Sequence, residues 1–200
     1  PIKNLINDLN RKKDELLYER LMQNAHTLVK NDASILPIKD LQLQKIAYLP
    51  MGDVPGEVFY KTLRQYTAVK KIESQNLDTV LTELKAFSTV IIGFHKSDDS
   101  PWKSYEFSNK ELVWLQEISR KHKVILVVFA KPYALNSINS FLNIESVLLA
   151  YQNHKISQRI AAQIIFGALP TKGKLPVSIN DSPYKVGFGV ENPSVGRFCL

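Results

Sequence analysis

The chain has 200 residues, with 26 Lys and Arg against 19 Asp and Glu, a formal net charge of +7 and one cysteine, Cys199. This length suits one domain with a substantial core. A single cysteine excludes an internal disulfide and a cysteine-based metal site. The basic residues are spread in short runs rather than gathered in a stripe, so the charge does not predict nucleic-acid binding. The apolar runs are too short for a membrane span.

The first predicted element is an amphipathic helix over residues 4 to 23, where leucines recur at helical spacing among charged residues. The first thirty residues lack the charged-then-apolar layout of a signal peptide. Because residue 1 is Pro, we expect the chain to be a fragment whose targeting signal, if there is one, lies upstream.

Five short apolar stretches follow and predict strands, two of them continuously apolar as in buried parallel strands. The predicted strands are Lys45–Leu49, Ala68–Ile72, Thr89–Phe94, Val124–Ala130 and Ser146–Ala150. Helical patterns alternate with them at residues 55 to 66, 76 to 86, 108 to 121 and 155 to 166. Ser108 and Glu111 form a capping-box pattern at the start of the third of these helices.

This alternation predicts an α/β fold, with an open, mostly parallel, doubly wound sheet and helices on both faces in three layers. One antiparallel edge strand is expected near Leu175–Ile179. Functional loops should lie beyond the carboxyl ends of the strands.

Three segments carry more specific sequences. Residues 166 to 178 read Phe-Gly-Ala-Leu-Pro-Thr-Lys-Gly-Lys-Leu-Pro-Val-Ser, with Gly167 placed to end the last helix in left-handed backbone. Residues 25 to 38 read Ala-His-Thr-Leu-Val-Lys-Asn-Asp-Ala-Ser-Ile-Leu-Pro-Ile, and residues 184 to 189 read Tyr-Lys-Val-Gly-Phe-Gly.

In this order the segments resemble the motifs of the C-terminal domain of glycoside hydrolase family 3, the non-barrel half of β-glucosidases and β-N-acetylhexosaminidases. The resemblance covers roughly residues 20 to 190. It implies a linker helix over residues 1–24 that leads in from an N-terminal TIM-barrel catalytic domain, the family domain over residues 25–190, and a tail over residues 191–200. Carbohydrate would bind through the barrel and no cofactor is implied. The compartment stays open, with a slight preference for the bacterial periplasm or cell envelope.

Glycoside hydrolysis uses two carboxyl groups. In the family the aspartate nucleophile belongs to the barrel, so we expect this chain to be inactive by itself. β-Glucosidase-type members take a glutamate acid/base from the C-terminal domain, on the loop equivalent to residues 93 to 106. The usual glutamate pattern is not recognisable there, which leaves Asp98, Asp99 and Glu106 as weak catalytic candidates.

The altered loop favours the hexosaminidase branch, in which the acid/base is a histidine of the barrel and the substrates are amino-sugar polymers such as peptidoglycan fragments. His95, Trp102 and Tyr105 are weak candidates for substrate contact. For the two aromatic residues a domain interface is the stronger interpretation, and for His95 a hydrogen-bonded surface position. Whether the loop reaches the active site stays open.

Other chemistries are not indicated. The four histidines, His26, His95, His122 and His154, lack the spacing of metal ligands. The loop after the first strand has neither a G-x-G-x-x-G pattern nor a Walker lysine, and the chain has no G-x-S-x-G elbow.

Two alternative functions remain: a stand-alone α/β binding or scaffold module, and a β-glucosidase-type domain that supplies an acid/base carboxylate. The linker helix discriminates between a docked domain and an autonomous module. A domain that packs on a barrel should expose an apolar patch there, whereas an autonomous module should be polar.

Overall fold

The computed structural model describes residues 11–100 and 102–198. The helices are α1 (Lys12–Ala25), α2 (Glu57–Tyr66), α3 (Leu77–Leu84), α4 (Asn109–Ser119) and α5 (Lys155–Ile165). The strands are β1 (Thr27–Asn31), β2 (Ile46–Gly52), β3 (Val69–Lys71), β4 (Thr89–His95), β5 (Lys123–Phe129) and β6 (Ser146–Leu149). Residues 4 to 10 of the predicted linker helix lie outside the described residues, as does Cys199.

The six strands form one sheet in the order β1-β6-β5-β4-β2-β3. Strands β2 to β6 run parallel, and β1 pairs antiparallel with β6. The predicted α/β fold with a mostly parallel sheet is therefore confirmed.

The predicted antiparallel strand at Leu175–Ile179 is wrong, because the antiparallel edge is β1. Residues 175 to 179 are instead tied to the following turn. The Leu175 amide donates to the Phe188 carbonyl, and the Ile179 amide to the Tyr184 carbonyl. Pro176 has no amide hydrogen to donate to a ladder, which disfavours a regular strand at this point.

Two apolar cores cover the two faces of the sheet, because side chains alternate along each strand. In β5, Val124, Leu126 and Val128 enter the core under α3 and α4. The intervening residues of β5, Ile125, Val127 and Phe129, enter the core under α1, α2 and α5. The helices thus form outer layers on both faces.

The capping box predicted at the start of α4 is confirmed. The Glu111 amide donates to the Ser108 hydroxyl, and Glu111 Oε2 accepts from the Ser108 amide at 2.7 Å. The other oxygen of Glu111, Oε1, accepts from the Gly52 amide at 2.9 Å. One carboxylate therefore starts α4 and also holds the carboxyl end of β2.

The three sequence motifs meet in space. Gly167 has φ +73, as predicted for a helix cap, and a Cβ there would lie 2.7 Å from the Pro37 ring of the N-terminal motif. The Cβ of any other residue at Gly173 would overlap the His26 carbonyl. The Val190 amide, directly after the third motif, donates to the Leu28 carbonyl. The three motifs therefore pack on one another, and the close approaches explain why glycine stands at positions 167 and 173.

Candidate functional site at the carboxyl edge of the sheet

The topology directs attention to the carboxyl ends of β2 and β4. In the parallel part of the sheet the chain leaves these two neighbouring strands in opposite directions, and such a switch point is where open α/β sheets usually bind ligands. Here the crevice is filled. The His95 side chain closes it, and that residue has no exposed surface.

The expectation that His95 is a hydrogen-bonded surface residue is therefore wrong as to its exposure, although the residue is hydrogen-bonded. Its ring lies under α2, 4.4 Å from the Phe129 ring centroid and nearly parallel to it. Because residues 93 and 95 lie on the same side of the strand, His95 faces this core rather than the loop that follows it. Its hydrogen-bond partners are an amide and a phenol, not carboxylates.

The contacts of His95 define its tautomer. Nδ1 lies 2.6 Å from Asn153 Oδ1, and Nε2 lies 2.9 Å from the Tyr48 hydroxyl. Asn153 Oδ1 is an acceptor, and it also accepts from Gln158 Nε2 at 2.9 Å. The imidazole proton is therefore on Nδ1, and Nε2 accepts from Tyr48.

Gln158 extends this arrangement to α2. Its Oε1 accepts from the Phe59 amide at 2.9 Å, so that one first-turn amide of the helix finds a partner. We call Tyr48, His95, Asn153 and Gln158 the His95 network. The network links β2, β4, the segment after β6, α5 and α2 through buried hydrogen bonds.

Burial sets the protonation of the network. Removal from water lowers the pKa of His95 to about 4, although the hydrogen bond to Asn153 acts in the opposite direction. Burial also raises the pKa of the Tyr48 phenol, and the Glu57 carboxylate adds to the effect. Both groups are thus neutral near pH 7, as the hydrogen bonds require.

Two glycines leave the room that the imidazole needs. A Cβ at Gly56 would overlap the His95 ring and lie 2.5 Å from the Tyr48 hydroxyl. A Cβ at Gly93 would lie 2.5 Å from His95 Nε2. Interiors are packed at crystal-like density, so neither side chain can be added without displacing the network.

An open cleft of about 470 Å³ lies beside the network, beyond the carboxyl ends of β4, β5 and β6. It is lined by the polar or charged side chains of Lys96, Ser97, Asp98, Ser100, Lys103, Lys131 and Gln152, together with Tyr105, Ala130, Pro132 and Tyr151. The Lys131 ammonium lies 5.4 Å from the Tyr105 ring centroid, within the range of a cation–π contact. The cleft has the polar and aromatic lining that suits a hydroxyl-rich ligand.

The three carboxylate candidates do not converge. Asp98 is exposed at the rim of the cleft, where Oδ2 accepts from the Asn153 amide at 3.3 Å. Asp99 is also exposed and faces Ser97 and Lys103. Glu106 is exposed and does not line the cleft. The structure therefore brings together no two of these carboxylates as an acid and a base.

The aromatic candidates differ from each other. Tyr105 is half-buried, lines the cleft and lies 6.3 Å from the Tyr133 ring centroid. Trp102 is 92% exposed and lies outside the cleft lining. Of the candidates for substrate contact, only Tyr105 lines the cleft, while His95 lies beneath it.

Asp53 holds the start of the loop and was not singled out from the sequence. Its Oδ1 accepts from the Ser97 amide at 3.0 Å, and its Oδ2 lies 3.8 Å from the Lys96 ammonium. The polar run after β6 was the one sequence signal for Asn153, since a buried strand that ends at a switch point commonly presents polar groups there.

In the described part of the chain, no three His, Cys, Asp or Glu side chains are grouped as metal ligands would be. Nor is any described helix long and apolar enough to cross a bilayer.

No protein-family model and no curated protein matches the chain. Solved structures do match it. A β-glucosidase from Listeria innocua, in complex with isofagomine, superposes with a TM-score of 0.74 over 95% of this chain and 36% of its own, at 12% identity. A family 3 β-N-acetylglucosaminidase from Paenibacillus sp. superposes with a TM-score of 0.67 over 87% of this chain and 34% of its own, at 15% identity.

A fungal multi-domain family 3 β-N-acetylglucosaminidase, which also contains a GCN5-related glucosamine N-acetyltransferase region, gives a TM-score of 0.70 at 21% identity. This match covers 90% of the present chain and 21% of the fungal protein. The chain has the fold of a domain found in family 3 glycoside hydrolases. It spans about a fifth to a third of the length of these family 3 proteins.

The low pKa of the buried histidines predicts a loss of stability in weak acid. Burial lowers the pKa of His26 to about 4, as it does for His95. The unfolded chain, with histidine pKa values near 6.5, binds more protons between pH 6.5 and 4, so stability is full above pH 6.5 and declines as the pH falls. Between pH 7 and 5 the free energy of unfolding should fall by about 2 kcal/mol per histidine.

Urea unfolding at several pH values measures this decline. His95→Gln should be less stable than the unmodified chain at pH 7, but its free energy of unfolding should fall less between pH 7 and 5. A decline in His95→Gln as large as in the unmodified chain would show that His95 does not contribute to it. A free energy of unfolding for the unmodified chain that is constant from pH 7 to 5 would contradict this assignment of buried, neutral imidazoles.

Proposed function

We propose that this chain is the accessory C-terminal domain of a family 3 glycoside hydrolase. The convergence of the three motifs supports the family, because the sequence features that resemble it are the ones that pack on each other. The domain packs against a catalytic TIM barrel of the same polypeptide, walls one side of the sugar site and is not catalytic by itself.

The single observation that carries the docking role is the outer face of α1. Leu16, Leu17 and Leu21 are 50%, 56% and 59% exposed. The opposite face of the same helix packs on α5 through Met22, and Arg159 of α5 binds Glu19 at 3.1 Å. Lys13 and Arg20 are exposed on the same outer face, so the leucines form an apolar patch within a charged surface. A helix fixed to the domain by one face, with exposed leucines on the other, is suited to contact with a second domain at the linker position.

The specificity we propose is that of a β-N-acetylhexosaminidase acting on terminal amino-sugar residues, as in peptidoglycan-type substrates. Two neighbours in structure, from Paenibacillus and from a fungus, are named β-N-acetylglucosaminidases. The loop of residues 93 to 106 supports this branch, because Asp98, Asp99 and Glu106 are exposed and no contact joins one of them to another. A domain of the β-glucosidase type would need one of them positioned as an acid.

Substitution of the loop carboxylates separates these two branches. In the complete polypeptide that includes the barrel, Asp98→Asn, Asp99→Asn and Glu106→Gln should each leave kcat/KM for an aryl N-acetyl-β-glucosaminide within about two-fold, because none of these groups transfers a proton. If one carboxylate were the acid/base, its substitution would lower the rate by about a hundred-fold or more. Such a loss would refute the hexosaminidase branch and support the β-glucosidase-type alternative.

The docking role is tested by comparing two contexts. Leu17→Ala with Leu21→Ala should leave the isolated 200-residue chain nearly as stable as before, since both side chains are exposed. In the complete polypeptide the same pair should lower the free energy of unfolding by about 2 kcal/mol or more, because leucines buried at an interface are lost. Lys12→Ala with Lys13→Ala is the matched control on the same helix. Its effect on the free energy of unfolding should be small in both contexts. Equal, small effects of the leucine pair in both contexts would favour the autonomous module.

A further inference from the structure

The opposite edge of the sheet, at the amino-terminal ends of its parallel strands, carries two adjoining grooves. One, of about 480 Å³, is lined by Lys45, Arg64 and Lys70. The other, of about 370 Å³, is lined by Lys39 and Lys123. Gln44 lines both, so the two grooves form one surface, which we call the basic groove.

The basic groove carries charge of one sign. Neither lining contains an Asp or Glu among the described residues. The five basic side chains of the groove are exposed, and none forms an ion pair with a described residue. At the carboxyl edge, by contrast, Lys96 and Lys103 each face an aspartate at 3.8 Å. The amino edge therefore gathers more unpaired positive charge than the carboxyl edge, where Lys131 is the one lysine of the cleft lining without an ion pair to a described residue.

The strand register explains why charges that are distant in sequence come together. The Lys45 carbonyl, just before β2, accepts from the Ser88 and Thr89 amides at the start of β4. Thr89 is in turn paired with Lys123 of β5, and Ala47 with Lys70 of β3. Since neighbouring strands are about 4.8 Å apart, Lys45, Lys70 and Lys123 lie within roughly 14 Å along the edge. Lys39 and Arg64 reach the same groove from the loop before β2 and from α2. Such a spread of cations is suited to an extended polyanion.

We propose that the basic groove binds an acidic polysaccharide. Unpaired ammonium and guanidinium groups repel one another, and a polyanion that displaces their counterions relieves this repulsion. Gln44 and Ser88, between the two ends of the groove, add amide and hydroxyl groups of the kind that bind sugar hydroxyls.

The aromatic residues of the groove argue against single-stranded nucleic acid, which needs free ring faces on which bases stack. Tyr60 is already stacked on Tyr48 at 5.6 Å. The Arg64 guanidinium and the Lys71 ammonium each lie 5.7 Å from the same ring. Phe87, the other aromatic side chain of the lining, is half-buried against the core under α3 and α4, so charge and hydrogen bonding dominate the groove. This proposal does not rest on the glycosidase assignment, because it concerns the edge of the sheet opposite the cleft beside the His95 network.

The test measures binding of the purified chain to polygalacturonate oligomers of defined length, at low salt and again at about 200 mM salt. The groove variant is Lys45→Gln with Arg64→Gln and Lys70→Gln. The matched control, Lys155→Gln with Lys172→Gln and Lys185→Gln, removes the same charge from exposed positions outside the groove. A second groove variant, Lys39→Gln with Lys123→Gln, covers the case in which the first fails to fold. Neutral dextran and an oligothymidylate of equal charge are the comparison ligands.

We expect the unmodified chain and the control to bind polygalacturonate and not dextran. The groove variant should bind polygalacturonate more weakly by about ten-fold or more. The magnitude of the slope of log K against log salt should decrease by about 2, because ionic contacts are lost. Three results would each overturn the proposal: no binding of polygalacturonate by the unmodified chain, equal weakening in the control variant, or binding of oligothymidylate as tight as that of polygalacturonate.

Discussion

The carboxyl edge of the sheet depends on one buried imidazole that must stay neutral. His95 donates from Nδ1 to Asn153 and accepts at Nε2 from Tyr48, so a second proton would remove the acceptor of the Tyr48 hydroxyl and place a charge inside the core. Through these two partners it fixes β2, the segment after β6 and, by way of Gln158, the first turn of α2. The crevice that this topology would otherwise open is closed as a result.

The switch point is closed, the neighbouring cleft is open, and the described carboxylates of the loop after β4 are exposed. That arrangement agrees with the proposed accessory role, in which chemistry belongs to a second domain and this chain contributes a wall and a docking face. The apolar face of α1 and the basic groove then serve different ends of the molecule. On our proposals, the first meets a partner domain and the second holds a charged polymer.

The fold could be predicted from the sequence because its signals are local. Apolar runs such as Val124–Ala130 and caps such as Ser108 with Glu111 act within a few residues. The candidate site could not be predicted in this way, because its residues come from distant segments of the chain. Nothing near Tyr48 indicates that its hydroxyl meets His95. Likewise Lys45, Lys70 and Lys123 look dispersed along the chain until the register aligns the strand starts. The misplaced edge strand has the same cause, since β1 pairs with β6, the strand farthest from it in sequence.

The measurement that tests the account most directly is a nitrogen-15 NMR titration of the His95 ring in the folded chain. The structural role predicts a proton on Nδ1 and an unprotonated Nε2 that does not titrate between pH 7 and 5, since burial lowers the pKa to about 4. An imidazolium at pH 6, or a ring protonated on Nε2, would contradict the hydrogen bonds on which the closed edge depends. His95 would then be a candidate for proton transfer instead of a structural residue.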